Sequence, residues 1–120
     1  MKTILIVDDS AFIRDLHRDI LESADFQVIE AQNGMEALTL YDDKKPDAVL
    51  MDLLMPEMDG IDVIKNILAK DPQAITIVCS TDKQKYRKKE AKEVGAKAFI
   101  SKPVDGDELI EIINKLLYKE

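Results

Sequence analysis

Short continuous apolar runs alternate with amphipathic segments along the whole sequence of 120 residues. The runs occupy positions 4–7, 26–31, 48–51, 75–79 and 98–100. The runs 4–7, 48–51 and 75–79 are nearly continuous and do not alternate strictly with polar residues, so they are typical of strands in a parallel sheet covered on both faces. The run 26–31 contains Gln27 and Glu30, and the run 98–100 is only three residues long, which predicts that both form the edges of the sheet. This pattern constrains the chain to an alternation of strands and helices.

The segments between the runs carry apolar residues at helical spacing. Such stripes are formed by Ile13, Leu16, Ile20 and Leu21, by Ile61, Ile64, Ile67 and Leu68, and by Leu109, Ile112, Ile113, Leu116 and Leu117. Helix starts are marked by pairs with capping-box spacing, namely Asn33 with Glu36, Thr81 with Gln84 and Asp105 with Glu108. Gly95 stands where a helix is expected to end. Five strands alternating with five helices predict an α/β fold, a (βα)₅ doubly wound three-layer sandwich.

The segment 82–94 is an exception among the predicted helices, because its only apolar contacts are Tyr86, Ala91 and Val94. We expect it to be the least firmly packed helix. It lies in a basic window, residues 83–102, that holds eight of the 17 Lys and Arg but two of the 24 Asp and Glu. The window therefore carries +6 and the remaining residues carry −13. Either a solvated charged face or a dedicated partner surface accounts for this asymmetry.

Composition narrows the class of protein further. The length predicts one domain over residues 1–120 with no output domain. A net charge of −7 argues against direct binding of nucleic acid. No apolar run approaches the roughly 20 residues of a membrane span, so no membrane insertion is expected. One Cys allows no internal disulfide, which fits a reducing cytoplasmic location.

Four of the five predicted strands are followed by chemically reactive side chains. These side chains are Asp8 and Asp9, Asp52, Ser80 and Thr81, and Lys102 with Pro103. Each set taken singly has a plain explanation as a turn or a helix cap. The carboxyl ends of parallel strands meet at one edge of the sheet, however, and that edge is where ligands bind in this architecture. We therefore expect these side chains to form one site.

Three carboxylates at one edge repel each other unless a cation neutralises them. Mg²⁺ suits such a site because it takes oxygen ligands and keeps some of its waters. A carboxylate such as Asp52 is also a nucleophile towards phosphorus, giving an aspartyl phosphate. Lys102 would offset charge on the transferring group, and the Ser80 hydroxyl would donate to a phosphoryl oxygen. The pattern thus predicts phosphoryl chemistry at a cation site.

At these residues the sequence resembles response-regulator receiver domains of the CheY type, from two-component signalling and phosphorelay. The resemblance covers the whole chain. It rests on Ile-Val-Asp8-Asp9-Ser, Met-Asp52-Leu-Leu-Met-Pro56-Glu-Met-Asp59-Gly60, Val-Cys-Ser80, Gly95-Ala96 and Phe99-Ile-Ser-Lys102-Pro103. It implies a flavodoxin-like fold with parallel strand order 2-1-3-4-5. It also implies a phosphorylation-controlled switch that is not an enzyme in its own right and promotes only its own phosphorylation and dephosphorylation.

The resemblance assigns roles to the residues of the site. It makes Asp52 the acceptor of a phosphoryl group from a histidine kinase. Asp9, Asp52 and the Leu54 carbonyl would hold Mg²⁺ (or Mn²⁺), with Asp8 acting mostly through water. Lys102 would pair with the phosphoryl group, and the Lys102–Pro103 peptide would be cis.

The resemblance also implies how a signal leaves the site. Ser80 would be the switch hydroxyl, and Phe99 the switch aromatic that turns inward as Ser80 moves. The fourth helix, fifth strand and fifth helix would then present the signal to a partner protein. The basic fourth helix suggests a partner with an acidic face, whereas the acidic start of the fifth helix allows a weak symmetric homodimer instead.

Three positions depart from the usual pattern of the family. Thr81 stands where a small Ala is common, which predicts narrower access for a phosphodonor or for water. Leu54 has no polar side chain to position water, whereas Asp82, two residues after the switch residue, has one. Phe99 lacks the hydroxyl of a Tyr. The first two departures predict altered dephosphorylation kinetics, without fixing the direction, and the third means that Phe99 cannot hydrogen-bond outward as a Tyr would.

Two other functions compete with the receiver interpretation. A phosphatase of the haloacid-dehalogenase type would need a second Asp two residues after the nucleophile, where this chain has Leu54. A phosphorylation-independent interaction module of the same fold would not need the intact set of acids with Lys102. Two further residues are predicted to be structural: His17, either packed or at the surface, and Cys79 as an inert core thiol. The same is predicted for the cluster of Met51, Met55 and Met58.

Overall fold

A computed structural model describes residues 1–81 and 85–118 of the chain. Within them, strands and helices alternate from the first element to the last. The strands are β1 (Thr3–Val7), β2 (Gln27–Ala31), β3 (Ala48–Met51), β4 (Thr76–Ser80) and β5 (Ala98–Ser101). The helices are α1 (Ala11–Ser23), α2 (Gly34–Lys44), α3 (Gly60–Lys70), α4 (Lys85–Val94) and α5 (Gly106–Leu117). No helix in the described ranges has the length and apolar content needed to cross a membrane.

The five strands form one sheet in the order β2-β1-β3-β4-β5, and every neighbouring pair is parallel. The fold class, the strand order and the two predicted edge strands are therefore confirmed. The inner strands β3 and β4 are buried along their whole length, whereas β2 and β5 are partly exposed. All five strands point the same way, so their carboxyl ends lie along one edge of the sheet.

Each face of the sheet has its own apolar core, since successive strand residues point to opposite faces. Leu5 and Val7 contribute to the core beneath α2, α3 and α4. Ile4 and Ile6 contribute to the core beneath α1 and α5. The buried Met51 and the partly buried Met55 and Met58 belong to the first core, as predicted for this cluster. The two layers bury the sheet and leave its carboxyl edge open to solvent.

The predicted helix boundaries hold where the structure describes them. The Asn33 side chain accepts a hydrogen bond from the Glu36 amide at 2.8 Å, and the Glu36 side chain accepts one from the Gln32 amide at 3.0 Å. Asp105 caps α5, and Gly95 after α4 has φ of 111°, which favours glycine. The predicted pair of Thr81 with Gln84 cannot be placed, because Gln84 lies outside the described residues.

The buried line of α1 differs from the predicted stripe. His17 and Leu21, one helical turn apart, are the buried residues of α1, whereas Leu16 is 45% exposed. Residues four apart share one face of a helix, so His17 and Leu21 pack inward and Leu16 lies at the margin of that face. Of the two positions left open for His17, the structure shows the packed one, and the prediction that Leu16 belongs to the buried face is wrong.

Helix α4 is weakly packed, as the sequence predicts. Among the α4 side chains that the structure describes, Ala91 is the one that is fully buried. Tyr86 is 63% exposed, so its predicted role as an apolar contact is wrong. The side chain of Arg87 is only 13% exposed and donates hydrogen bonds to both carboxylate oxygens of Asp59, at 2.9 and 2.7 Å. An ion pair therefore supplements apolar packing in holding this helix to the start of α3.

Candidate metal and phosphoryl site

Three carboxylates converge at the carboxyl edge of the sheet. Val7 and Met51 are partners in the register of β1 and β3, so the residues that follow them emerge side by side. One carboxylate oxygen each from Asp8, Asp9 and Asp52 lies within 4.8 Å of the others. Asp8 and Asp52 are buried and Asp9 is exposed. The predicted acid cluster therefore forms, with one side open to solvent.

Lys102 reaches the same cluster from the end of β5. Its Nζ atom lies 2.5 Å from Oδ2 of Asp8 and 3.5 Å from Oδ1 of Asp52. Burial alone would lower the pKa of Lys102, but the hydrogen bond to Asp8 and the charges of Asp52 and Asp8 outweigh burial and raise that pKa. Lys102 is therefore a fixed positive charge. The Lys102–Pro103 peptide bond that follows is cis.

Asp52 is under electrostatic strain at the centre of the cluster. Burial raises the pKa of its carboxyl to about 6, and the charges of Asp8 and Asp9 act in the same direction. The charge of Lys102 and the Leu54 amide, which donates to Oδ1 at 3.4 Å, oppose this rise without cancelling it. A carboxylate held in this way is best stabilised by additional positive charge.

The donor set fits a hard divalent cation. Three carboxylates and one ammonium leave an excess of two negative charges in the cluster, and all the carboxylate donors are oxygens, as Mg²⁺ prefers. Because Asp9 is exposed, an ion here would keep contact with solvent and with a ligand from solution. Leu54 lies in the turn directly after Asp52, and its side chain is 52% exposed. The cluster is thus compatible with a divalent metal site.

The loop after Asp52 is packed tightly against its own backbone. The Gly60 amide donates to the Leu53 carbonyl at 3.1 Å. A Cβ atom on Gly60 would lie 2.3 Å from the Asp52 carbonyl oxygen and 2.9 Å from the Leu53 Cα. Only glycine allows α3 to begin so close to the chain that carries Asp52. A side chain at position 60 would therefore force α3 or the backbone of Asp52 to shift.

Ser80 and Phe99 lie on the neighbouring strands β4 and β5, and Thr81 directly follows β4. Ser80 ends β4 and is fully buried, its carbonyl accepts from the Lys102 amide at 3.0 Å, and Thr81 next to it is exposed. Phe99 pairs with Val78 in the register of β4 and β5 and is partly buried. It lines a groove of about 200 Å³ between α4 and β5, together with Lys88, Ala91, Lys92, Ala96, Lys97 and Ala98. Asp82, the predicted water-positioning residue, lies outside the described residues.

Arg14 is a contact of this site that sequence reasoning missed. Its Nη1 atom donates to the carbonyl oxygen of Asp8 at 2.7 Å. The available signal was a charged residue on α1 one turn after the Asp8-Asp9 pair, which does not by itself distinguish an inward arginine from a solvated one. The prediction for Cys79 is confirmed, because the thiol is buried and burial raises its pKa to about 12.

Comparison with known proteins identifies close relatives of the chain. The family model described as the response regulator receiver domain matches residues 4–114. The chain is 45% identical to the chemotaxis protein CheY of Listeria monocytogenes, over 96% of this chain and 98% of that protein. It is 48% identical to the chemotaxis protein CheY of Thermotoga maritima, over 96% and 97% of the two chains.

Solved structures agree with this assignment at the level of the fold. A complex of CheX with CheY, BeF₃ and Mg²⁺ from Borrelia burgdorferi superposes with a TM-score of 0.91 at 34% identity, covering 96% of this chain and 88% of that one. The response regulator TrrA of Thermotoga maritima, in complex with Mg²⁺ and BeF, superposes with a TM-score of 0.90 at 33% identity. That match covers 98% of this chain and all of the other.

Proposed function

The chain belongs to the response regulator receiver domain family, and on that premise we propose that Asp52 accepts a phosphoryl group from a histidine kinase. Membership of this family, with its CheY relatives, supports a phosphorylation-controlled signalling switch. The observation that carries the assignment to Asp52 is its buried carboxylate between Asp8, Asp9 and the ammonium of Lys102. Chemistry at this position changes the charge of the cluster, which is what a switch requires.

The proposed step forms one bond and breaks one. A carboxylate oxygen of Asp52 attacks the phosphorus of a phosphohistidine, and an O–P bond forms as the N–P bond of the donor breaks. The electron pair stays on the histidine nitrogen, which takes a proton from water. The product is an aspartyl phosphate, and attack of water on its phosphorus later returns Asp52 and inorganic phosphate.

The residues of the cluster divide the work of this step. Asp9 and Asp52, with the Leu54 carbonyl, would hold Mg²⁺ (or Mn²⁺), and Asp8 would act mostly through water. The bound ion supplies positive charge that offsets the phosphoryl oxygens. Lys102 adds a second positive charge from the end of β5, already held in place by Asp8. Asp52 attacks as the carboxylate, the form that its pKa of about 6 provides at neutral pH.

We place the output on the face formed by α4, β5 and α5. The Ser80 hydroxyl would donate to a phosphoryl oxygen on Asp52, and Phe99 would fill the groove beside α4 as that contact forms. Weak apolar packing of α4 supports this, because such an element moves at low free-energy cost. The lysines around the groove favour a partner protein with an acidic face. The CheX complex concerns a relative, a CheY that binds a protein partner.

We place this activity in the cytoplasm, in one receiver domain over residues 1–120 that works through partners. In this proposal the chain is not an enzyme that turns over an external substrate. Leu54, at the position that a haloacid-dehalogenase-type phosphatase needs for its second Asp, is apolar and half-exposed. A weak homodimer through the basic α4 and the acidic start of α5 is the alternative use of the output face.

Incubation with phosphoramidate and Mg²⁺, followed by intact mass measurement, tests the proposal. We expect wild type to gain one phosphoryl group, Asp52→Asn to gain none, and EDTA to abolish the gain in wild type. Asp43→Asn, an exposed change on α2, is the matched control and should behave as wild type. No gain in wild type would indicate a phosphorylation-independent module, and repeated hydrolysis of an added phosphate monoester would indicate a phosphatase.

A further inference from the structure

Arg14 contacts the acid cluster through the backbone of Asp8. Its Nη1 atom donates to the Asp8 carbonyl oxygen at 2.7 Å, and its side chain is only 15% exposed. We propose that Arg14 is a positioning residue, which fixes the peptide between Asp8 and Asp9 and thereby the direction of both carboxylates. This inference rests on the proposed function insofar as the cluster is taken to bind a divalent cation.

The other polar atoms of Asp8 are also held, each by a different part of the fold. Its amide donates to the Ala31 carbonyl at 3.1 Å, and its Oδ1 atom accepts from the Ser10 amide at 2.9 Å. Its Oδ2 atom accepts from Lys102. The contact from Arg14 adds the carbonyl oxygen to this set. Because the carbonyl belongs to the peptide that leads into Asp9, rotation of that peptide would redirect the exposed Asp9 carboxylate.

Glu30 on β2 orients Arg14. Its Oε1 atom accepts from Arg14 Nε at 2.9 Å, and its Oε2 atom accepts from Arg18 Nε at 2.7 Å. Burial alone would raise the pKa of Glu30, but the hydrogen bonds and charges of the two guanidinium groups outweigh burial and lower it. Glu30 is therefore a charged anchor that keeps the Arg14 guanidinium in the plane needed to reach Asp8.

Arg18 provides a matched comparison within the same network. It binds the same Glu30 from the same helix, but its other contacts go to Glu22 Oε2 at 2.9 Å and the Val28 carbonyl at 3.4 Å. Within residues 1–81 and 85–118, none of its hydrogen bonds reaches the acid cluster. Loss of Arg18 therefore removes one guanidinium from Glu30 without freeing the peptide between Asp8 and Asp9.

Charge and positioning predict opposite signs for loss of Arg14. Removing a positive charge near a cation site would by itself strengthen cation binding, since the repulsion between the two decreases. Freeing the peptide between Asp8 and Asp9 would weaken it, since the carboxylates would have to be ordered on binding. The positioning hypothesis therefore requires weaker binding despite the favourable change in charge.

The test compares Arg14→Met with Arg18→Met by Mg²⁺ titration, followed through amide chemical shifts of Asp9 and Ser10. We expect the Mg²⁺ Kd to rise about tenfold in Arg14→Met and to change less than about twofold in Arg18→Met. In metal-free protein, hydrogen exchange of the Ser10 amide should accelerate in Arg14→Met and not in Arg18→Met. Arg14→Lys, which reaches one of the two acceptors at a time, should restore part of the affinity.

Two results would overturn the inference: unchanged or tighter Mg²⁺ binding in Arg14→Met, or equal weakening in Arg18→Met. If Arg14→Met does not fold, Glu30→Gln provides the same readouts, because it loosens Arg14 and keeps a neutral acceptor. Failure of wild type to bind Mg²⁺ would refute the proposed cation site. The metal-free exchange of Ser10 would still decide whether Arg14 positions the loop.

Discussion

The Nζ atom of Lys102 lies 3.5 Å from Oδ1 of Asp52, yet it is hydrogen-bonded to Asp8. The lysine is therefore held beside the central carboxylate while its strongest contact goes to another residue. This arrangement leaves Asp52 with incomplete compensation, and burial raises its pKa to about 6. A phosphoryl group on Asp52 would bring oxygens within the range of an ammonium that is already in position.

The raised pKa of Asp52 predicts how stability depends on pH without metal. The folded chain binds this proton more tightly than the unfolded chain, whose pKa is near 3.8. The free energy of unfolding should therefore fall as pH rises from about 4 to about 6, and stay low above that range. Asn does not ionise, so the Asp52→Asn variant does not lose stability in this way as pH rises. It should be more stable than wild type at pH 7.5 in EDTA, by at most about 3 kcal/mol.

Urea unfolding of both proteins from pH 4 to pH 8 measures this difference. The gap between them should close near pH 4, and Asp43→Asn, changed at an exposed acid, should show no such gap. Mg²⁺ at 100 times its Kd should then stabilise wild type by about 2.7 kcal/mol and the Asp52→Asn variant by less. An Asp52→Asn variant less stable than wild type in EDTA at pH 7.5 would show that the acids do not strain the fold.

The carboxylate cluster followed from the sequence for a definite physical reason, whereas the strand order came from the resemblance to receiver domains. Continuous apolar runs require a parallel sheet, and a parallel sheet brings the residues after each strand to one edge. Asp8 and Asp52 were therefore expected at the same edge of the sheet, and the pairing of β1 with β3 places them side by side. The preference of Lys102 for Asp8 over Asp52 was not predictable, because the distances from its Nζ atom to the two carboxylates differ by only about 1 Å.

Helix surfaces were less predictable from the sequence than strand ends. The apolar pattern predicted that Leu16 is buried and gave no reason to bury Arg14. In the structure Leu16 is about half exposed, whereas the Arg14 side chain is mostly buried. The methylene groups of an arginine can pack against apolar surface while its guanidinium donates hydrogen bonds to backbone carbonyls and carboxylates. The sequence shows that Arg14 carries hydrogen-bond donors. Its acceptors, Glu30 on β2 and the Asp8 carbonyl after β1, are brought to it only by the fold.

Thr81 is exposed at the rim of the site, directly after the buried Ser80. We expect Thr81→Ala to change the rates of phosphorylation by phosphoramidate and of dephosphorylation, because it removes a branched side chain from the approach to Asp52. Thr81→Ser, which keeps the hydroxyl and loses the methyl group, separates bulk from hydrogen bonding. Rates unchanged from wild type in Thr81→Ala, measured by intact mass over time, would show that this side chain does not control access.

The ion pair of Arg87 with Asp59 should contribute to holding α4. Asp59→Asn keeps an acceptor for the Ile61 amide, which the Asp59 carboxylate now caps at 2.8 Å, so it removes the charge and preserves the helix start. A double-mutant cycle of Asp59→Asn with Arg87→Met should give a coupling of about 1–2 kcal/mol, since the arginine is mostly buried.

The control for that cycle is the exposed pair of Lys89 with Glu93 on the same helix, at 3.9 Å. Its coupling should be below about 0.5 kcal/mol. Hydrogen exchange of α4 amides should accelerate in Arg87→Met. Equal coupling for the two pairs would mean that the contact from α4 to α3 has no special role.

Gly60 and Gly106 both begin helices, and they should respond in opposite ways to alanine. A Cβ on Gly60 would lie 2.3 Å from the Asp52 carbonyl oxygen, which is backbone and cannot turn aside. A Cβ on Gly106 would meet the Ile20 side chain at 3.5 Å, an ordinary contact.

Gly60→Ala should therefore destabilise the fold by at least about 2 kcal/mol and weaken phosphorylation of Asp52, because the loop that carries the carboxylate must shift. Gly106→Ala should be neutral or stabilise by up to about 1 kcal/mol. Urea unfolding and intact mass after phosphoramidate treatment measure both effects, and a Gly60→Ala variant phosphorylated at the wild-type rate would show that the position of α3 does not control the site.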